Sequence, residues 1–326
     1  MKAEFSTISA LNTKKFKIID MTNLQKNEII QLVEVEIENL GSANKVATKC
    51  GVSPAMISNV RSGKHELIAV EMWLKIGNAL GYNSNNTWQI AETLDFKKVY
   101  TLCDDIKNES LFRILSSRAG IGKSAALKTY AKINAGNSVF YIRCREWSKR
   151  DFLTELCTSL GIETGNYHIS IDKLGQKVSE FFLQRSHLKP ILIIDEADKL
   201  KDAALRWFIH LYNDNENKMG CLLAGTENLE KRIKDGVRLK RQGYDEIESR
   251  FRRTYVKLNG SREVDIKLIC ELNGITDRET QKKIFETCSP VSTLIQNQTI
   301  RVITDLRNVQ GRIASELRTK QNLQYA

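Results

Sequence analysis

Four stretches within the first eighty residues, "NEIIQLVEVEIENL", "SANKVATKC", "SPAMISNVRSG" and "AVEMWLKIGNAL", set apolar side chains three or four positions apart. That is the spacing of amphipathic helices, so the beginning of the chain reads as all helical. Further on the pattern changes. Short apolar, β-branched runs, "LFRILS", "SVFYIR", "PILIID" and "GCLLAG", alternate with helical patterns, and each pair is separated by enough chain for a crossover helix. This arrangement predicts a parallel sheet built of βαβ units. From about residue 262 the pattern predicts helices only. The stretch "GYNSNNTW", Gly81 to Trp88, reads as a linker, because Asn, Ser and Gly favour turns over regular structure. The expected organisation is a small all-α domain over 1–85, an α/β core over 86–262 and a helical C-terminal subdomain over 263–326. No internal repeat stands out.

Composition narrows the class. The 326 residues are 41% apolar and 27% charged, enough for about two domains of roughly 150 residues. No run approaches the roughly 18 apolar residues of a membrane span, and the first 30 residues lack the pattern of a signal peptide. Seven cysteines form no C-x-x-C and only four histidines are present, which argues against a zinc site and for free thiols in a reducing cytoplasm. The formal charge of +11 is unevenly distributed. Residues 1–95 carry ten basic and ten acidic residues, whereas 113–150 carry nine against one and 231–262 carry eleven against four. Clustered cations of this kind suit a polyanionic partner, a nucleic acid or a nucleotide phosphate.

The run "SANKVATKCGVSPAMISNVRSGK" has the grammar of a helix-turn-helix. Val46 and Ala47 face inward on a first helix, Gly51 supplies the turn, Ser53 is placed to cap a second helix, and Pro54 sits at its first position. Ile57 and Val60 then point inward together. Ser53, Ala55, Ser58, Asn59 and Arg61 are left facing out, a set able to touch base edges and phosphates in a major groove. A helical hairpin used only for packing is the alternative. With the following "LIAVEMWLKIGNALGY", the segment from about 28 to 82 resembles the repressor-like helix-turn-helix domains, which implies DNA contact by Pro54 to Arg61.

The chemistry concentrates in "ILSSRAGIGKSAALKTY", Ile114 to Tyr130. A phosphate cradle reads G-x-x-x-x-G-K-[ST], and here Ser117 stands where the first glycine belongs. Gly120, Ile121, Gly122, Lys123, Ser124 and Ala125 otherwise fit. In such a loop backbone N–H groups converge on phosphates, the lysine reaches the β- and γ-phosphates, and the Ser hydroxyl binds Mg²⁺. The strand-like "FRILS" before it and the helix-forming "KSAALKTYAKI" after it suit that role, with the positive helix end turned toward the phosphates. Seventy-two residues after Lys123, "PILIIDEADKL" ends a buried strand in Asp195 and Glu196. Asp195 is placed to hold the Mg²⁺ shell and Glu196 to orient or deprotonate an attacking water. Asp198 reads as a surface or helix-start residue.

A later strand, "CLLAG", ends at "TEN", where Thr226 or Asn228 either places a polar group near the γ-phosphate or merely caps a turn. The cluster "ESRFRRTYVKL" presents Arg250, Arg252 and Arg253, of which Arg250 is the candidate to reach the nucleotide of a neighbouring subunit, while three arginines in four positions equally suit a DNA or solvent face. Cradle, "DE" strand, polar-ended strand, arginine cluster and helical tail, in this order, resemble the AAA+ ATPases over about residues 96–320. The likeness implies ATP and Mg²⁺ as cofactors and a second sensor arginine in the tail, for which Arg301 and Arg307 are candidates.

Added to the N-terminal helices, this module resembles the phage Mu B-type transposition ATPases, through the single small helix-turn-helix, "LLAGTENLEKRI" and "ESRFRR". The resemblance implies ATP-driven assembly of an oligomer or filament on double-stranded DNA with little sequence preference, delivery of that DNA to a DDE transposase, and no membrane partner. It also implies DNA contact by Arg143, Arg145, Lys149 and Arg150 of "YIRCREWSKRDF", although Arg143 and Arg145 alternate along a strand end and equally suit a solvated face. Two rivals remain. An ATP-switched transcriptional regulator would read an operator through residues 53–61, and a nucleotide-gated scaffold would dispense with Glu196.

Overall fold

The structure, a computed structural model, describes residues 23–80, 82, 88–134, 136, 138–164, 169–295 and 297–325. The start of the chain and most of the linker Gly81 to Trp88 lie outside the described residues, with the expectations made for them. Internal contacts divide the chain into two units, Met1–Trp88 and Gln89–Ala326. None of the described helices is long and apolar enough to cross a membrane.

Over its described residues the first unit is all helical: α1 (Asn23–Leu40), α2 (Ala43–Cys50), α3 (Pro54–Arg61) and α4 (Val70–Ala79). Its turn follows the residue chemistry read from the chain. Gly51 takes the left-handed conformation, φ 62°, that a side chain would oppose, and the N–H of Val52 then reaches the Ala47 carbonyl at 3.0 Å. The Ser53 hydroxyl accepts from the Met56 N–H and so caps α3. Ile29, Val33, Val46, Ile57, Val60, Trp73 and Ile76 are fully buried and close the small core.

The second unit opens with α5 (Leu94–Asn108) and β1 (Phe112–Ser116), then α6 (Lys123–Ile133), β2 (Val139–Arg143), α7 (Lys149–Ser159) and α8 (Ile171–Gln184). It continues through β3 (Ile191–Asp195), α9 (Asp202–Asn215), β4 (Gly220–Gly225), α10 (Glu227–Arg238), α11 (Tyr244–Arg250) and β5 (Tyr255–Val256). The five strands form a parallel sheet in the order β2-β3-β4-β1-β5. Parallel strands need cover on both faces, and alternation supplies it. Ile191, Ile193, Leu222 and Ala224 pack with Val99, Tyr100, Leu127 and Tyr130 of α5 and α6. Leu192, Ile194, Cys221 and Leu223 pack with Phe152, Phe182 and Phe208 on the other side. The fold is thus the α/β architecture the strand runs predicted. The two-residue β5 is too short to show as a run.

The tail differs from expectation. After β6 (Ser261–Arg262), α12 (Glu263–Leu272) and α13 (Arg278–Thr287), the chain forms a hairpin of β7 (Val291–Ile295) and β8 (Gln298–Ile303) before α14 (Leu306–Tyr325). The hairpin joins β6 in an antiparallel sheet of order β6-β8-β7. A tail of helices only is therefore incorrect. Across 291–303 the apolar residues stand at 291, 294, 295, 300, 302 and 303, so the first three keep helical spacing and only Ile300 and Val302 alternate, which is why a reading by periodicity passes over the strand pair.

Buried Asp95 ties the core to this tail, its carboxylate accepting from the N–H groups of Asn259 at 3.1 Å and Gly260 at 2.7 Å. Asp95→Ala orphans both donors and is expected to cost roughly 1–3 kcal/mol for each one left unpaired, read as a fall in thermal midpoint. An unchanged midpoint would show that water replaces the carboxylate.

Candidate functional site

The phosphate-cradle candidate leaves the C-terminal end of β1 and enters α6. Gly120 and Gly122 have φ of 82° and 105°, conformations that side chains resist, and Gly122 caps α6 with its backbone alone. Ser117 has an ordinary φ, so the missing glycine costs no left-handed strain. Its buried hydroxyl does structural work instead, accepting from the Leu258 N–H at 2.7 Å just beyond β5, while the Ser117 N–H donates to the Gly225 carbonyl at 3.3 Å. Ile121 points into the core, so it offers the loop only its backbone. Ser124 and Ala125 lie half-buried in the first turn of α6.

Lys123 is 7% exposed and folds back on its own loop, donating to the carbonyls of Ser117 at 2.6 Å and Arg118 at 2.8 Å. Burial lowers its pKa, and the nearby carboxylates of Asp195 and Asp198 work against that shift. A buried ammonium held by carbonyl dipoles is readily exchanged onto a stronger anion, which is what a phosphate-binding lysine requires.

The carboxylates stand at the end of β3. Asp195 is 1% exposed, and both of its oxygens are engaged: Oδ1 accepts from the Glu196 N–H at 3.0 Å and Oδ2 from the Tyr141 hydroxyl at 2.8 Å. Glu196 sits in the left-handed region, φ 57°, where the chain turns out of the sheet. Its carboxylate accepts from Arg143 at 2.6 Å and from Lys199 at 2.5 Å. Burial works to raise the Glu196 pKa, but the hydrogen bonds and charges of Arg143 and Lys199 outweigh it and hold the carboxyl below its ordinary range.

Asp198 is not a bare surface residue. It takes the Thr226 hydroxyl on Oδ2 at 2.8 Å and the Thr226 N–H on Oδ1 at 3.3 Å, pinning the end of β4 to the turn after β3. The Thr226 hydroxyl also accepts from the Asn228 N–H at 3.3 Å and so caps α10. Asn228 itself is exposed. The sequence carries no signal for Tyr141 and marks Asp198 only as a surface or helix-start residue, because a tyrosine on a strand and a third acid in "DEAD" have no spacing signal of their own.

The arginines separate cleanly. Arg250 is half-buried with its guanidinium over the Tyr212 ring, 5.2 Å from the centroid. Arg252 and Arg253 both adopt positive φ just before β5, and Arg253 pairs with Asp245 at 2.7 Å and Glu248 at 3.3 Å. Because Tyr255 pairs with Ile114 in parallel register, the cluster lies beside the start of β1, about 13 Å of strand away from the loop at its end. It cannot serve its own loop. In the tail, Arg301 is committed to Glu286, whereas Arg307 in the first turn of α14 lies close enough to Lys123 for its charge to oppose the ammonium. The start of α14 touches the loop directly: the Leu306 N–H donates to the Gly120 carbonyl at 2.9 Å, and a Cβ on Gly120 would meet Asp305 Oδ1 at 2.3 Å.

Of the residues expected on DNA, Ser53 and Ser58 are exposed and Asn59 is half-buried, while Arg61 forks onto Glu34 of α1 at 2.7 and 3.2 Å. Beyond β2, Arg145 is exposed, Lys149 pairs with Asp172 at 3.4 Å, and Arg150 donates to the Ile169 carbonyl at 3.2 Å. Arg143 is brought to Glu196 instead of standing alone on a solvated face.

Residues 107–233 match the family model described as an AAA domain. No curated protein matches the chain. Among solved structures, the chain is similar to Cdc6p from Pyrobaculum aerophilum, with a TM-score of 0.50 and 13% identity, over 71% of this chain and 62% of that one. It is also similar to the Orc1 protein of Aeropyrum pernix in complex with DNA, with a TM-score of 0.44 and 14% identity, over 72% and 62%. Likeness extends to the ORC2 protein of Aeropyrum pernix in ADPNP-ADP complexes, with a TM-score of 0.41 and 14% identity, over 63% and 59%. The chain thus spans about three fifths of the length of these proteins. Family match and Cdc6p likeness together give the second unit the AAA+ fold.

The Ser117 geometry generates its own test. Ser117→Ala keeps the backbone but orphans the buried Leu258 N–H, so it is expected to destabilise the protein by roughly 1–3 kcal/mol. Thermal melts should show the loss while the affinity for a fluorescent ATP analogue stays put; a lost affinity with an unchanged melt would make Ser117 a ligand-binding residue instead.

Proposed function

We propose that the protein is an ATP-dependent, largely sequence-nonspecific DNA-binding ATPase that selects target DNA and delivers it to a DDE transposase, assembling on DNA as an oligomer. One observation carries the ATPase reading: the glycine loop with Lys123, the Asp195–Glu196 pair and Thr226 all emerge at the same edge of one parallel sheet, and Arg307 reaches that edge from the tail. The residues fit the ligand. Gly120 and Gly122 supply the left-handed backbone that a phosphate loop needs, α6 turns its N-terminus toward it, and Ser124 with Asp195 offers the hard oxygen donors that Mg²⁺ prefers. Bound with ATP, the ion would neutralise charge on the β- and γ-phosphates.

The chain's own residues divide the remaining work. Lys123 exchanges the carbonyls of Ser117 and Arg118 for phosphate oxygens. Tyr141 holds the Asp195 carboxylate in place for the metal shell. Glu196, once released from Arg143 and Lys199, orients and deprotonates water, and Thr226, its hydroxyl spent on Asp198 and the Asn228 N–H, fixes the end of β4 beside it. Arg250 acts on the site of a second copy, since its cluster lies at the far end of β1. Arg143, Arg145, Lys149 and Arg150 with the outward face of α3 contact DNA. Phosphate contacts of this kind make affinity steeply dependent on salt. The transposase partner rests on the resemblance of the whole arrangement to the Mu B-type ATPases.

Fluorescence anisotropy of a random-sequence duplex, in ATP, in ADP and without nucleotide at two salt concentrations, tests the reading. Cooperative, salt-sensitive binding confined to ATP is expected. Binding only to a particular operator would replace this function with that of a regulator. Glu196→Gln is expected to retain ATP and DNA binding while turnover falls by about 10²–10⁴; turnover within threefold of the parent protein would remove Glu196 from the chemistry.

A further inference from the structure

Within the basic block 231–262, Arg232 does not stand free in solvent. It lies on α10 among Leu229, Ile233 and Gly236, the residues that this helix buries, and its side chain is 22% exposed. Every nitrogen of its guanidinium is engaged. Nη1 donates to the carbonyls of Leu200 at 2.6 Å and Asp198 at 3.2 Å, while Nε donates to the Asp202 carboxylate at 3.2 Å and the Tyr244 hydroxyl at 3.3 Å. Nη2 donates to the same carboxylate, which also takes the Tyr244 hydroxyl proton at 2.8 Å. Close packing brings that hydroxyl in, since a Cβ on Gly236 would strike the Tyr244 ring.

The two carbonyls belong to the turn that carries Glu196. That residue leaves β3 in the left-handed region, φ 57°, a conformation that a side chain resists and that persists only where the surroundings hold it. Inside the turn, the Lys199 N–H bonds the Glu196 carbonyl at 3.0 Å and the Leu200 N–H bonds the Ala197 carbonyl at 3.2 Å. From outside, α10 grips it twice, through Thr226 on the Asp198 carboxylate and through Arg232 on the carbonyls of Asp198 and Leu200. A lysine could not make the second grip and keep Asp202 as well, because only the planar guanidinium directs donors to several partners at once.

We propose that Arg232 is a positioning residue for Glu196, fixing the turn after β3 so that the carboxylate stands where water is activated. The inference rests on the ATPase reading above and adds to it a residue outside the loop, the acids and the sensor arginines. Arg232 acts through the backbone of Asp198 and Leu200, so it bears on turnover, whereas nucleotide binding belongs to the loop after β1 and is left intact. A misplacement of about 1 Å in a group that must meet its reactant is enough to cost on the order of 10²-fold in rate.

The test measures ATP hydrolysis by the full chain, with and without a random-sequence duplex, alongside the affinity for a fluorescent ATP analogue. Arg232→Met is expected to lower kcat by roughly 10–10²-fold while the analogue binds as it does to the parent protein. Arg232→Lys keeps the charge without the fork and is expected to fall nearly as far; full rescue by lysine would overturn the positioning role. In a Glu196→Gln background, followed by single-turnover hydrolysis, Arg232→Met is expected to add no further loss, since a residue that acts through Glu196 has nothing left to place. A full additional loss there, or an analogue affinity that falls with kcat, would make Arg232 merely structural and overturn the proposal. Asp202→Asn is a milder change at a half-exposed carboxylate and keeps the question answerable should the Arg232 variants fail to fold. It is expected to lower kcat severalfold at unchanged affinity, and parental kcat would count against the proposal as it would in the Arg232 variants. A parent protein without ATPase activity, or one matched in turnover by its Glu196→Gln variant, would fail the ATPase reading itself, and the role of Arg232 with it.

Discussion

The chemistry of this protein is set by one packing constraint: β3 is buried along its whole length between β2 and β4 and under helices on both faces. A strand so enclosed can present polar groups only where it ends. The parallel register then fixes which ends meet, aligning Ser116 with Gly225 and Arg143 with Asp195. Loop, acids and Thr226 converge because their strands share direction and length, without any need for them to attract one another. The same register sends the arginine cluster to the opposite edge, which is why a second copy of the chain enters the functional proposal at all.

A single ion pair joins the two proposed activities. Arg143, on edge strand β2, belongs to the basic block that DNA phosphates would attract, and it holds the Glu196 carboxylate that hydrolysis would use. Arg143 is half-exposed, so the pair contributes little to stability. Its weight is in competition: a guanidinium drawn to phosphate is withdrawn from Glu196, and Lys199 alone remains. Tyr141, two residues earlier on the same face of β2, keeps Asp195 oriented through this exchange. The edge strand therefore reaches both acids, each through a different side chain.

What could be read from the chain follows from periodicity and spacing. The helical N-terminal residues, four of the five core strands and the loop with its downstream acids each carry a local signature, and the Ser117 departure was visible as a departure. Its resolution was not, since the Leu258 N–H that the hydroxyl satisfies lies 141 residues away in sequence. Asp198 and Tyr141 escaped for the same reason, as their partners come from other strands. The β7–β8 hairpin failed differently. Its first apolar positions, 291, 294 and 295, stand at helical spacing, so helical context on both sides prevailed. Arg143 was legible as a cation, while its partner depended on a strand order that no pattern in the sequence states.

The junction at Gly120 links these parts. A side chain there would strike Asp305, and the Gly120 carbonyl already accepts the Leu306 N–H, so loop and tail occupy one shared volume. Asp305 in turn accepts from the Arg307 N–H, fixing the start of α14. Any anion that draws Lys123 outward changes what Asp305 and Arg307 face, one being repelled and the other attracted. Asp305 before α14 and Arg307 within it therefore tie the start of that helix to the charge the loop holds.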